Sequence, residues 1–121
     1  MTPKPGKPVR GSRTGRPIMA LLDLLGRRWS LRILWELQHG ALSFADLRDR
    51  CDAMSPSVLN QRLAELREAG VIGLRDEGGY VVTADGRGLC ASLAPLQHWA
   101  ERWAQRGRPA ARPAKARRIA R

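Results

Sequence analysis

Small or hydrogen-bonding side chains occupy one face of a predicted helix near the middle of the chain. They are Ser57, Asn60, Gln61 and Ala64. The opposite face carries an apolar stripe at helical spacing, formed by Leu59, Leu63 and Leu66. Surface helices more often carry pairs of Lys and Glu, whereas Asn, Gln and Ser can hydrogen-bond to base edges and to phosphates in a major groove. The pattern therefore favours contact with nucleic acid, and a solvated polar face on a core helix is the alternative.

Both ends of this helix are marked by residues with capping roles. Ser55 can accept a hydrogen bond from a free amide of the first turn, and Pro56 suits the first helical position because no amide donor is needed there. Gly70 can end the helix in a left-handed conformation. The sequence thus predicts a helix of about four turns between these residues.

Positive charge is concentrated at the two ends of the chain. The formal net charge of the 121 residues is +11. Residues 1–17 contain five basic and no acidic residues, and residues 106–121 contain seven basic and no acidic ones. Residues 18–105 carry ten basic against eleven acidic residues. Because both ends are poor in apolar residues that could anchor a core, we predict one domain at 18–105 between a disordered basic arm and a disordered basic tail.

The basic arm and tail indicate a polyanionic partner. Nucleic acid is favoured over a membrane because neither segment has the aromatic and leucine spacing of an amphipathic surface helix. A second interpretation stays open, since Arg greatly outnumbers Lys in the chain. In that interpretation the ends are solubilising tails that reflect an arginine-rich coding bias.

Several other classes of function lack support in the sequence. No apolar run is long enough to span a bilayer, and the N-terminal residues lack the apolar region of a secretory signal, so we expect a cytoplasmic protein without membrane contact. Cys51 and Cys90 are isolated, which argues against a disulfide framework and a zinc site, and no cofactor is expected. His39 and His98 have no nucleophile beside them and no Gly-rich phosphate loop is present, so an enzyme is the least expected class.

Capping residues and apolar spacing predict a mainly α fold (α+β) with one short hairpin. The predicted elements are helices 18–25, 31–39 and 44–50, the helix after Ser55, strands 71–75 and 80–83, and a last helix from 87 to about 105. Ser30 and Ser43 are the expected N-caps of the second and third helices, with one bridge of strand at residues 41–42. The connection at 51–54 has the length that joins the two helices of a helix-turn-helix. The helix after Ser55 would then be the second of the pair.

The last predicted helix is apolar beyond what a small domain can cover. Leu96, Trp99 and Trp103 recur on it at helical spacing, and exposed Trp is costly. We therefore expect these residues to meet a second subunit, together with the first helix. The first helix would contribute Leu21, Leu22 and Leu25.

The sequence of residues 17 to about 103 resembles the HxlR-type family of bacterial winged-helix transcription regulators. The matching segments are 25–30 (a GGKW-type turn), 31–37, 40–47, 54–55, 59–66, 70–72 and 82–86 (similar to L-T-x-x-G). The resemblance implies a winged helix-turn-helix with terminal dimerisation helices. It also implies a homodimer that places two recognition helices in successive major grooves of a pseudo-palindromic operator on double-stranded DNA.

On this resemblance we expect a set of residues to contact DNA. They are Ser55, Ser57, Asn60, Gln61, Arg62, Arg27, Arg28, Ser43 and Arg75. The chain also departs from the family in two places. Arg16 stands where many members have a Cys, so thiol sensing by that route is not expected. The predicted wing is short and holds Asp76 and Glu77, which would repel phosphates, so the wing should contribute little beyond Arg75.

Two alternatives remain beside the DNA-binding regulator. A winged helix can dock another protein through the same surfaces, and Glu65 and Glu68 are expected on the outer face of the long helix. Within the regulators, a MarR-like or PadR-like protein is the near neighbour. The sequence predicts neither the operator, nor the sign of regulation, nor a small-molecule effector.

Overall fold

The order of helices and strands follows the capping residues and the apolar spacing. A computed structural model describes residues 2–9 and 15–107. Its elements are α1 (Pro17–Leu25), α2 (Ser30–Leu37), α3 (Phe44–Arg50), α4 (Pro56–Glu68), β1 (Ile72–Leu74), β2 (Tyr80–Val82) and α5 (Ala84–Arg106). The mainly α architecture with one hairpin is confirmed. The expected helix-turn-helix corresponds to α3 and α4.

Side-chain caps explain where α3 and α4 begin. The Ser43 hydroxyl accepts a hydrogen bond from the backbone amide of Asp46 at 3.1 Å. The Ser55 hydroxyl accepts one from the amide of Val58 at 3.5 Å, and Pro56 fills the first turn. Each cap satisfies an amide that has no partner within its helix. Both predicted caps are confirmed.

The start of α2 differs from the prediction. Ser30 was expected as the N-cap, but that position is taken by Trp29, whose φ of 79° lies in the left-handed region. The Trp29 carbonyl accepts the first helical hydrogen bond, from the amide of Ile33 at 2.9 Å. Ser30 therefore lies within the first turn with its side chain buried, and its Oγ has no hydrogen-bond partner among the described residues. The predicted cap is wrong because the chain enters the helix one residue earlier.

The wing is an antiparallel hairpin of β1 and β2. Its paired residues are Ile72 with Val82, Gly73 with Val81, and Leu74 with Tyr80. Gly78 and Gly79 have φ values of 94° and 91°, which side chains other than hydrogen rarely allow. Tyr80 also forms a single antiparallel bridge with Leu42, just before α3. The hairpin is thereby fastened to the segment that leads into the helix-turn-helix.

The core joins all the elements of the first ninety residues. Its most deeply buried large side chains are Ile33, Leu34, Leu37, Leu47, Leu59, Leu63 and Leu66. The last three of these form the apolar stripe of α4. Because that stripe faces the core, the opposite face of α4 is left to solvent.

Thr83 and Gly86 hold the start of α5 against the end of α4. The Thr83 hydroxyl donates to the Gly70 carbonyl at 2.6 Å and accepts from the Gly86 amide at 3.1 Å. A Cβ on Gly86 would overlap the carbonyl oxygen of Val71 and lie 2.6 Å from Cγ1 of Val82. The T-x-x-G spacing in the sequence therefore has two physical uses, a cap and a close approach of backbones.

The chain divides into two compact units, one up to Cys90 and one from Ala91 onward. In the second unit, the rings of Trp99 and Trp103 stack with centroids 5.7 Å apart. The Arg106 guanidinium lies 5.8 Å from the Trp99 ring centroid. Leu96, Trp99 and Trp103 are 59%, 47% and 60% exposed. Within the part of the chain that the structure describes, no helix is long and apolar enough to cross a membrane.

Two residues of the N-terminal arm, which the sequence predicts to be disordered, contact the domain. The Lys4 ammonium lies 3.0 Å from a carboxylate oxygen of Glu68, and Thr2 is buried. Hydrogen bonds from Thr2 and then from Lys4 lower the pKa of the Glu68 carboxyl. A carboxylate near the end of α4 thus holds the arm, a partner that arm composition alone does not reveal. The tail predicted to be disordered, 106–121, lies outside the described residues from 108 onward.

Candidate nucleic-acid interface

The turn between α3 and α4 is held from both of its sides. Cys51 and Met54 point into the core, and the Arg48 side chain donates from Nε to the Met54 carbonyl at 2.7 Å. Asp52 and Ala53 take left-handed conformations, with φ of 60° and 56°. This turn fixes the direction in which α4 leaves α3.

Arg32 of α2 ties the same turn from outside. Its Nη2 donates to the Arg50 carbonyl at 2.6 Å, and its Nη1 lies 3.7 Å from the Asp52 carboxylate. Its Nε donates to Glu36 at 2.9 Å, and this hydrogen bond raises the pKa of the Arg32 guanidinium. Glu36 in turn lies 3.8 Å from Arg50. These contacts connect α2 with the end of α3 and with the turn that leads into α4.

The outward face of α4 carries the small and polar side chains that the sequence predicts to contact nucleic acid. Ser57, Asn60, Gln61 and Ala64 are all exposed. The side chains of Asn60 and Gln61 have no hydrogen-bond partner within the described residues, so their donors and acceptors are available to a ligand. An alternating set of donors and acceptors on a slender helix face matches what base edges present in a major groove.

The N-terminal end of α4 adds a second kind of binding group. The hydroxyls of Ser55 and Ser57 lie 3.0 Å apart and are exposed. The first turn contains no acidic residue. Free amides and the helix dipole favour an anion at such an end, and hydroxyls can donate to it. The end of α4 is therefore suited to a phosphate, while the face beyond it is suited to bases.

Arg27 and Arg62 do not project outward as expected. Arg27 lies between Glu65, at 2.7 Å, and Asp23, at 3.6 Å. Arg62 donates from Nε to the Arg28 carbonyl at 2.7 Å and from Nη1 to Glu65 at 3.3 Å. The side chains of Arg27 and Arg62 are only 19% and 16% exposed. Both guanidinium groups therefore bind carboxylates or carbonyl groups of the same chain.

The position of Glu65 differs from the prediction. The sequence placed it on the outer face of α4, but it is 6% exposed and faces the turn between α1 and α2. Two arginines meet its carboxylate there, which makes burial of the charge tolerable. Glu68, three residues later, is exposed as expected.

The remaining expected contacts lie at three different places. Arg28 is exposed, with its guanidinium 6.0 Å from the Trp29 ring centroid. Ser43 is exposed, although its hydroxyl is occupied as a cap. Arg75 is exposed in the wing and donates to the Gly78 carbonyl at 3.3 Å. Of these, Arg28 and Arg75 retain exposed positive charge.

The residues expected at a dimer interface are also not all equivalent. Leu22 is 54% exposed and Leu21 is half-buried, whereas Leu25 is 8% exposed and belongs to the core. Leu25 therefore has little surface left for a second subunit. The sequence argument missed Leu31 and Trp35, which are 45% and 43% exposed on α2. Their spacing of four residues is the signal that marks an outward apolar stripe.

Neither cysteine has the environment of a reactive thiol. Burial raises the pKa of the Cys51 thiol, and the same cause raises that of Cys90. A raised pKa leaves less thiolate at neutral pH, and the thiolate is the nucleophile.

Comparison with known proteins identifies the family. The model of the HxlR-like helix-turn-helix family matches residues 24–108. An uncharacterised HTH-type transcriptional regulator of Bacillus subtilis, YvaP, is 30% identical over 87 residues, which cover 65% of this chain and 79% of that protein.

Solved structures agree with this match. The quinone-bound YodB of B. subtilis is 27% identical, with a TM-score of 0.65 over 70% of this chain and 94% of that one. A possible HxlR family transcriptional factor from Thermoplasma volcanium is 26% identical, with a TM-score of 0.63 over 70% and 82%. These relatives are transcriptional regulators, not enzymes. With its helix-turn-helix and wing, the chain belongs to the HxlR-like helix-turn-helix family of DNA-binding transcriptional regulators.

Proposed function

We propose that the protein regulates transcription by binding a pseudo-palindromic operator as a homodimer, with α4 of each subunit in a major groove. Asn60 and Gln61 contact base edges, and Ser55 and Ser57 contact a phosphate at the start of α4. The observation that carries this proposal is the exposed, uncharged surface that Ser57, Asn60, Gln61 and Ala64 form on α4. The amide side chains of Asn60 and Gln61 have no hydrogen-bond partner within the described residues. Such a face discriminates among base pairs without adding non-specific attraction.

Most of the phosphate contacts come from other parts of the chain. The basic arm and tail carry most of the positive charge, and Arg28 and Arg75 add exposed charge to the domain. The wing holds Asp76 and Glu77 beside Arg75, so it contributes little attraction. Affinity and selectivity are thus divided between the ends of the chain and α4. Because the proposed partner is bacterial DNA, the protein acts in the cytoplasm.

A protein-docking role is the second candidate, and the structure weakens its support. That interpretation depended on two outward carboxylates on α4, and Glu65 is buried in an ion cluster.

The test begins with selection of bound sequences from random duplexes, followed by salt titrations on the selected operator and on a scrambled duplex. Asn60→Ala and Gln61→Ala should each cost about 1–3 kcal/mol on the operator and little on the scrambled duplex. The slope of log K against log salt should not change, because neither residue carries charge. Gln38→Ala, which removes an exposed polar side chain at the end of α2, should bind like the wild type.

A chain trimmed to residues 18–105 should show the opposite effect. Each phosphate contact contributes about −0.9 to the slope, so loss of the ends should make the slope shallower and weaken binding to both duplexes. Preference for the operator should be kept. Loss of that preference on trimming, with the slope unchanged, would contradict the proposed division.

A further inference from the structure

Glu65 is an unusual carboxylate for a helix that faces solvent on its other side. It is the one buried charged residue among those described. Its Oε2 accepts from Arg27 Nη1 at 2.7 Å, and its Oε1 accepts from Arg62 Nη1 at 3.3 Å. Burying a charge is costly, and apolar side chains of similar volume often stabilise a fold as well or better. Stability alone therefore does not explain the choice of these three residues.

The geometry of the ion cluster of Glu65, Arg27 and Arg62 indicates that it orients α4. Arg27 belongs to the turn after α1, while Arg62 and Glu65 lie on α4. Arg62 also donates from Nε to the carbonyl of Arg28 in the same turn, at 2.7 Å. The two attachments connect α4 to that turn through directional hydrogen bonds, and apolar contacts do not fix rotation in this way.

The side chains of the outward face lie close to these attachments. Gln61 directly precedes Arg62 and lies one helical turn before Glu65. A rotation of α4 about its axis would move Gln61 and Asn60 away from the base edges that they contact in the proposed function. The ion cluster therefore controls the rotation of α4 about its own axis.

We propose that Glu65 is a positioning residue for operator recognition, which acts through Arg27 and Arg62 to fix α4 against the turn between α1 and α2. Arg27 and Arg62 then serve orientation and do not contact DNA. This inference rests on the proposed function, since it assumes that the face of α4 reads bases.

Glu65→Gln separates this proposal from simple electrostatics. The substitution removes a negative charge and keeps the shape of the side chain. If only charge mattered, every duplex would bind equally well or more tightly. If Glu65 positions α4, the preference for operator over scrambled duplex should fall by at least about tenfold, the size of one lost base contact. Binding to scrambled DNA should be unchanged or stronger.

Glu68→Gln is the matched control. It makes the same change of charge three residues later, at an exposed carboxylate whose partner is Lys4 of the arm. Operator preference should stay at the wild-type value. Ile72→Val, in the core and outside the ion cluster, controls for a general loss of stability. It should also keep the preference when binding is measured well below the unfolding temperature.

Arg62→Lys gives an independent measurement. Lys keeps the charge but cannot donate to Glu65 and to the Arg28 carbonyl with the fixed fork of a guanidinium. A positioning role predicts that this variant loses operator preference with an unchanged salt slope. A phosphate contact by Arg62 predicts that Lys retains the preference. If Glu65→Gln failed to fold, this comparison would decide the question alone.

The proposed function and the positioning role of Glu65 fail on different results. A wild type that prefers no duplex would overturn the proposed function itself. A wild type with clear preference, retained equally by Glu65→Gln and Glu68→Gln, would overturn the positioning role and leave the proposed function intact.

Discussion

Ser30 shows how one residue can have a different role from the one its type suggests. Its hydroxyl is buried without a hydrogen-bond partner among the described residues, whereas the Ser43 hydroxyl caps α3. A buried hydroxyl without a partner costs free energy, so Ser30→Ala should leave the free energy of unfolding unchanged or raise it by up to about 1 kcal/mol. Ser43→Ala should lower it by about 1 kcal/mol. Urea unfolding of both variants measures the difference.

The control for this comparison is Ser55→Ala, which removes the other confirmed cap and should behave like Ser43→Ala. A loss in Ser30→Ala as large as in these two variants would show that the Ser30 hydroxyl has a partner after all. A bound water would be the first candidate for such a partner.

Caps formed between neighbouring residues were predictable from the sequence, whereas contacts between distant residues were not. Ser43 and Ser55 were predictable because a cap depends on a few neighbouring residues. Ser30 was not, because Trp29 before it takes a left-handed conformation that a bulky residue rarely adopts. Glu65 was not, because its two arginine partners include one that is thirty-eight residues away in sequence.

The start of α5 depends on a close backbone contact at Gly86. A Cβ there would overlap the Val71 carbonyl oxygen. Gly86→Ala should therefore lower the free energy of unfolding by about 1–3 kcal/mol, even though Ala is the better helix former. Thermal or urea unfolding checks the prediction.

Gly88 is the matched control on the same helix. A Cβ at Gly88 would meet nothing within 4 Å among the described residues. Gly88→Ala should raise the free energy of unfolding by up to about 1 kcal/mol, since only the gain in helix propensity remains. Equal stabilisation by both substitutions would show that Gly86 is not needed for close packing.

The elements themselves were the most predictable level. Apolar spacing, caps and the glycines of the hairpin are local signals, and they located each helix and strand that the described residues form. The inward direction of Arg27 and Arg62 was less accessible. Helical periodicity places Arg62 beside Gln61, but it does not reveal that the Arg28 carbonyl lies within hydrogen-bond reach.

For the molecule as a whole, the sequence predicted the distribution of charge but not the contact of the arm. Lys4 pairs with Glu68 near the end of α4, so one carboxylate of the recognition helix is partly neutralised by the chain's own N-terminal arm. Both side chains are about half exposed, and salt or DNA phosphates would compete readily for such a pair. The arm can therefore exchange Glu68 for phosphate without a large loss of stability.

The exposed aromatic residues of α5 support the proposed homodimer. Trp99 and Trp103 stack on each other and remain about half exposed, which is costly for a lone helix. Trp99→Asp combined with Trp103→Asp should convert a homodimer to a monomer in sedimentation experiments. Operator affinity should fall by about a hundredfold or more, because a monomer loses the gain from binding two half-sites at once.

Leu74→Asp is the control for this substitution, since Leu74 is 53% exposed in the wing and the same charge is introduced. It should remain dimeric, because the proposed interface of α1 and α5 does not include the wing. A wild type that sediments as a monomer at micromolar concentration would contradict the proposed assembly. A monomer produced by Leu74→Asp would instead move the interface to the wing. If the wild type were a monomer, no second copy of α4 would be held at a fixed spacing, and the selected operators should then lack the two-fold symmetry that a dimer of recognition helices imposes.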